Sequence, residues 1–215
     1  TKISGGSLGG KARGLAFARS LLEKADFKDK FKSIVIRVPK LIVIGTEEFD
    51  LFMKNNELWD KALNSESNKH ILELFLKSSL TKNLIKSLKI FLSEVNYPLA
   101  VRSSSLLEDS QYQPLAGLYE TYMLPNSSKI LNQRLSQLCE AVKRIYASQF
   151  YQEPKSMMKI SSHRQDEEKM AIIIQELIGQ SYGKRFYPTI SGVAQSFNYY
   201  PISYMKRDEG VGFIA

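Results

Sequence analysis

At 215 residues, with 43% hydrophobic and 24% charged side chains, the chain has the composition of a soluble globular protein, enough for one large domain or two small ones. One cysteine, Cys139, excludes an internal disulfide framework and fits a reducing, cytoplasmic compartment, and two distant histidines, His70 and His163, exclude a His/Cys metal cluster. The net charge of +8 is spread along the chain without a basic block or an aromatic-basic RNA motif, so it fits an anionic small ligand better than nucleic acid, and no apolar run reaches membrane-spanning length.

The first element follows TKISGGSLGGKARGLAF. From Gly5 to Ala12 the pattern is G-x-x-x-x-G-K-A, one residue short of a P-loop. Ala12 lacks the hydroxyl that would ligate magnesium, and too few residues precede Gly5 for a buried strand. What remains is a glycine-rich stretch expected to leave backbone N–H groups open, Lys11 in a first helical turn, and a helix over residues 12–22 with Leu15, Ala18, Leu21 and Leu22 on one face. A plain glycine-rich entry to a surface helix is the alternative.

Residues 34–38 (IVIRV) and 41–44 (LIVI) read as strands around Pro39. Thr46 is placed to cap a helix beginning at Glu47 and Glu48, with Phe49, Phe52 and Met53 on its buried face. Residues 68–95 carry long helical periodicity that Tyr97-Pro98 closes. Residues 99–101 form a short strand delivering Arg102 to a loop over residues 103–116, and residues 118–124 alternate as a strand. A long helix steps through Leu131, Leu135, Leu138, Val142, Ile145 and Tyr146, followed by a polar connection or short helix over residues 152–169. Residues 170–178 (MAIIIQELI) form an apolar strand; residues 189–197 and 199–205 read as sheet, with Gly192 a bulge or close-approach point. This order favours an α+β fold over a doubly wound sheet. The sequence begins without Met and stops within an apolar run, so both ends are expected to continue into a longer polypeptide.

The stretch VRSSSLLEDSQYQPLAGLYET, residues 101–121, concentrates the chemistry. Arg102 can bind phosphate oxygens bidentately, and Gly117 lets backbone approach a ligand. Taken singly, Arg102 could equally be an ion-pair partner of Glu108 or Asp109, and Gly117 a turn residue.

Together with GGKARGLAF, this stretch resembles the nucleotide-binding N-terminal region of the phosphoenolpyruvate synthase and pyruvate phosphate dikinase family, with its GGK-x-x-x-L start and RSS-x-x-x-ED…AG-x-x-ET block. IIIQELIGQ, residues 172–180, and ISGVAQS, residues 190–196, are similar to two further blocks of that family in the same order. The resemblance implies an ATP-grasp fold of two lobes, mixed or antiparallel sheet packed with helices, with residues 1–100 as the N-terminal lobe and residues 101–215 as the phosphate-loop segment and a second, incomplete lobe. It implies that Lys11 and Arg102 contact phosphates as the catalytic cations, that Gly117 and Thr121 cover them, and that Gln175 lies by the adenine. The backbone from Glu176 to Ile178 would read the adenine edge. Ala12 is no defect in that setting.

The same resemblance implies that ATP phosphorylates a histidine on a mobile domain, which passes the phosphate to pyruvate or a related acceptor. The chain alone would bind nucleotide weakly and not complete catalysis. The partners would be phosphohistidine and acceptor-binding domains of the same full-length chain, with neither nucleic acid nor membrane. Magnesium ligands are expected beyond Ala215, so none is assigned here. There are departures: QPLAG stands where the family has SFAG, and SGVAQS brings Gln195 where it has an aromatic. Neither histidine has the carrier context, and Glu108 and Asp109 stay open between metal ligation and a structural role. The alternative function is a non-catalytic nucleotide-sensing module of a larger regulatory protein.

Overall fold

In the computed structural model, residues 1–25, 33–105, 117–160 and 168–215 are described. They divide into two compact units, Thr1–Leu177 and Ile178–Ala215. The first unit is built on a mixed sheet of five short strands: β1 (Lys2–Ile3), β2 (Leu41–Ile44), β3 (Leu99–Ser104), β4 (Thr121–Leu124) and β5 (Ala171–Glu176). Their spatial order is β1-β2-β5-β3-β4, with only the β1–β2 pair parallel. The first unit is therefore an α+β arrangement. The division at Leu177 differs from the one expected near residue 100, because β3 lies between β5 and β4 inside one sheet.

β5 explains its own sequence. Ile172 and Ile174 enter a large core, while Ala171 and Ile173 enter a small one on the opposite face. A strand covered on both sides reads as a continuous apolar run, not as an alternation. Helix α1 (Gly9–Lys24) packs on the small-core face through Ala12. The large core is supplied by α2 (Thr46–Asn55), α3 (Trp59–Asn64), α4 (Asn68–Lys77), α5 (Lys82–Glu94), α6 (Leu131–Ser148) and α7 (Gln152–Ile160). At its centre Phe49 meets the Tyr146 ring edge-on at 5.1 Å, and Phe52 lies 5.6 Å from Phe75 and 5.4 Å from Tyr146.

Several boundaries depart from the sequence reading. Residues 34–38 form no strand, and Ile34, Val35 and Ile36 are exposed. Both edges of β2 are already taken, by β1 and β5, so this β-branched run has no free neighbour there. The periodicity of residues 68–95 resolves into α4 and α5, broken at residues 78–81. There the Thr81 hydroxyl accepts the Leu84 N–H at 3.1 Å and donates to Glu48 at 2.7 Å. Thr46 is the first residue of α2, not its cap; Gly45 holds that position.

The second unit consists of two antiparallel pairs, β6 (Gln180–Tyr182) with β7 (Arg185–Tyr187) and β8 (Gly192–Gln195) with β9 (Val211–Ile214). Residues 199–205, expected as sheet, form none; Pro201 interrupts them and β8 takes β9 as its neighbour instead. Gly192 is a close-approach point, where a Cβ would come within 2.2 Å of the Phe213 carbonyl oxygen. No hydrophobic side chain of this unit is buried, and Tyr200 is 90% exposed.

Candidate functional site

The glycine-rich stretch is held from two sides. From the α2 side, Glu47 Oε2 accepts the Gly5 N–H at 2.6 Å and Thr46 Oγ1 accepts the Ser7 N–H at 2.8 Å. From the β3 side, the Gly10 N–H donates to the Ser105 carbonyl at 2.9 Å and the Ala12 N–H to Ser104 Oγ at 3.1 Å. The same Ser104 hydroxyl donates to the Leu8 carbonyl at 2.8 Å, and the Gly9 N–H donates to Ser7 Oγ at 3.2 Å. Glycine at position 9 is dictated by this docking: its φ is +75°, and a Cβ would lie 1.6 Å from the Ser104 carbonyl oxygen. Five N–H groups expected to be open for an anion are thus bonded within the fold. Any anion contact here falls chiefly to side chains.

Lys11 is such a side chain. It leaves the first turn of α1, and its ammonium donates to Ser103 Oγ at 3.4 Å. Arg102 stands opposite Thr121 on β4 and Ile173 on β5. Since Ile173 belongs to the small core, Arg102 projects on the α1 face of the sheet. Strand alternation turns the Ser103 side chain toward the other face; the hydroxyl that Lys11 meets lies one position past Arg102 along β3. Arg102 makes no side-chain hydrogen bond or ion pair with a described residue; Glu108 and Asp109, its expected partners, lie outside the described residues, as does His163. Thr121 is exposed beside Arg102. Gly117 is exposed at φ +80° with nothing within 4 Å of a Cβ, so its backbone conformation rather than crowding calls for glycine. Next to Thr121 in the chain, the Tyr122 hydroxyl donates to the Glu120 carboxylate, and burial first, then that bond, push the phenol well above its ordinary range.

Gln175 lies on the same sheet face as Arg102, opposite Leu41 and Ala100. Glu176 is committed elsewhere. Its carboxylate accepts from Arg37 Nη1 at 2.9 Å and from the Lys40 N–H at 3.1 Å, and the Arg37 guanidinium holds it below the usual carboxylate range. The Glu176 N–H donates to the Lys40 carbonyl at 2.8 Å and the Leu177 N–H to the Pro98 carbonyl at 2.9 Å. Ile178 opens the second unit. The structure therefore brings Lys11, Arg102 and Thr121 to one end of β3 and sets Gln175 on the adjoining strand.

A cavity of about 480 Å³ lies between α1, the segment 36–40 and the β1–β2 edge. Lys11, Arg102 and Gln175 are not among its walls. Among the described residues, no three His, Cys, Asp or Glu side chains stand close enough to share a metal ion, and no helix is long and apolar enough to cross a membrane. Thr46, Glu47, Ser7 and Ser104 are absent from the sequence reading of this site. Their partners lie 2 to 96 positions away, mostly far beyond any local pattern.

Comparison with known proteins gives two findings. Residues 6–211 match the family described as pyruvate phosphate dikinase, AMP/ATP-binding domain. The chain is also 30% identical over 174 residues to the uncharacterized phosphotransferase YvkC of Bacillus subtilis (strain 168). That alignment covers 80% of the chain but only 18% of the relative's length.

Proposed function

Because the chain belongs to the pyruvate phosphate dikinase AMP/ATP-binding domain family, we propose that it is the ATP-binding part of a dikinase-type phosphotransferase with an ATP-grasp architecture. The observation that carries this reading is the docking of the α1 entry onto the end of β3, which sets Lys11 against Ser103, the chain neighbour of Arg102. Two cations at one strand end suit a polyanion. Phosphoryl transfer depends mostly on positioning and on stabilising charge spread over phosphate oxygens.

In this proposal Lys11 and Arg102 clamp the phosphates, and Gly117 and Thr121 approach them from the start of β4. Gln175 stands by the adenine. The N–H groups of Glu176 and Leu177 are already bonded, so adenine recognition falls to the remaining backbone groups up to Ile178. ATP supplies the phosphoryl group; magnesium would balance its charge, and no residue of this chain is assigned to hold it. The acceptor is a histidine on another domain of a longer chain, which then phosphorylates pyruvate or a related compound. A cytoplasmic setting is part of the same proposal.

Titration of Mg-ATP by calorimetry into the wild type, Lys11→Ala and Arg102→Ala tests the assignment. Each substitution is expected to weaken affinity about tenfold or more, as loss of a charge-assisted hydrogen bond removes about 1.5–3 kcal/mol. Equal affinity in all three proteins would defeat it.

A further inference from the structure

The cavity beside α1 has a consistent chemical pattern. Its floor is Ala12 and Val43, both buried, and α1 presents Ala16 to it one turn further on. Small side chains there leave the gap: among the described residues the core on this face gathers four buried ones, against the many of the opposite face. The rim carries Lys2, Arg19, Glu23, Arg37 and Lys40, and the Lys2 ammonium donates to the Gly6 carbonyl at 2.6 Å. Arg19 is paired with Glu23 at 2.7 Å and Arg37 with Glu176 at 2.9 Å, while Lys40 makes no ion pair with a described residue. A volume of about 480 Å³ is in the range of small-molecule sites, about 300–1,000 Å³. Water is a poor occupant of an apolar floor that offers it few hydrogen bonds.

We propose that this cavity, whose walls include neither Lys11, Arg102 nor Gln175, is a second ligand site which takes a small apolar monoanion. The apolar body lies against Ala12, Ala16 and Val43, and the single charged group meets Lys40 at the rim. With both arginines paired to carboxylates and the Lys2 ammonium donating to the Gly6 carbonyl, Lys40 is the rim cation left for a single charged group. This inference does not depend on the nucleotide reading.

The test is a fluorescence titration with 8-anilinonaphthalene-1-sulfonate, a monoanionic aromatic probe, on the wild type, Ala16→Trp and Lys40→Glu, with and without saturating Mg-ATP. Ala16→Trp fills the space and is expected to weaken saturable probe binding about tenfold or more. Lys40→Glu, at a surface position, is expected to weaken it about threefold to tenfold at low salt, with the difference shrinking as salt rises. Mg-ATP is expected to leave the probe in place. Three results would each overturn the proposal. They are absence of saturable binding, enhancement unchanged in Lys40→Glu and in a folded Ala16→Trp, and competitive displacement of the probe by Mg-ATP. The first two leave the nucleotide assignment standing; the third moves the nucleotide into this cavity and defeats both.

Discussion

Gly9 and Gly14 sit five residues apart at the start of the same helix and answer to different physics. At Gly9 a Cβ would collide with the Ser104 carbonyl and φ is +75°; at Gly14 a Cβ meets nothing within 4 Å. Gly9→Ala should therefore destabilise the fold by about 2–4 kcal/mol, since strained φ and backbone overlap add. Gly14→Ala should stabilise it by about 1 kcal/mol through helix propensity. Urea unfolding midpoints of the two variants should move in opposite directions. Ser104→Ala removes one acceptor and one donor beneath the same loop and should cost about 1–3 kcal/mol. Cys139 packs partly against the large core, and burial pushes its thiol above the ordinary 9.0. At pH 7.5 it should react with a disulfide reagent more slowly in the folded chain than in urea. At this scale the sequence reading has Lys11 in a helical first turn, as in the structure, but ends the strand at Val101, whereas β3 carries Arg102 within it and runs on to Ser104. It gives Thr46 and Glu47 only a helix-start role, because their hold on the glycine loop acts 39 to 42 positions away.

The elements were legible wherever burial imposes a period. Helix α6 shows its buried face at three- and four-residue steps, and β5 shows its double burial as an unbroken apolar run. Phe52 illustrates what that burial is worth: it is wholly enclosed between Phe75 and Tyr146, and Phe52→Ala should destabilise by about 3–5 kcal/mol in urea unfolding. Residues 34–38 have strand composition without a strand, because composition does not reveal whether a sheet edge is free. That segment is tied down instead by Arg37 and Lys40 on Glu176. The Glu176 carboxyl is held below its ordinary 4.5 chiefly by the Arg37 hydrogen bond, so its contribution to stability is full above that value. It is lost as pH falls through the lowered native value. The stability difference between wild type and Glu176→Gln, measured by urea unfolding at stepped pH, should be constant near neutrality and shrink below about pH 4.5. A difference that persists unchanged into acid would show that the pair does not act through charge.

For the whole molecule, the two units differ in kind. Thr1–Leu177 contains every buried hydrophobic side chain among the described residues, and Ile178–Ala215 contains none. Residues 1–177 should unfold cooperatively by circular dichroism, and a peptide of residues 178–215 should not, since two-stranded pairs without a core are marginal in water. The β6–β7 hairpin turns at Gly183-Lys184, a local signal that the sequence reading passed over, whereas the pairing of β8 with β9 spans residues whose intervening stretch has no local rule. The family of the chain was legible from four motif blocks because motifs record chemistry; the clasp around the glycine loop was not, because it records folding. A crystal structure of the chain with a non-hydrolysable ATP analogue and magnesium tests the central claim most directly. Phosphate oxygens within hydrogen-bond reach of Lys11 and Arg102, with the adenine beside Gln175, are the predicted result. A nucleotide bound away from the end of β3, touching neither cation, would contradict it.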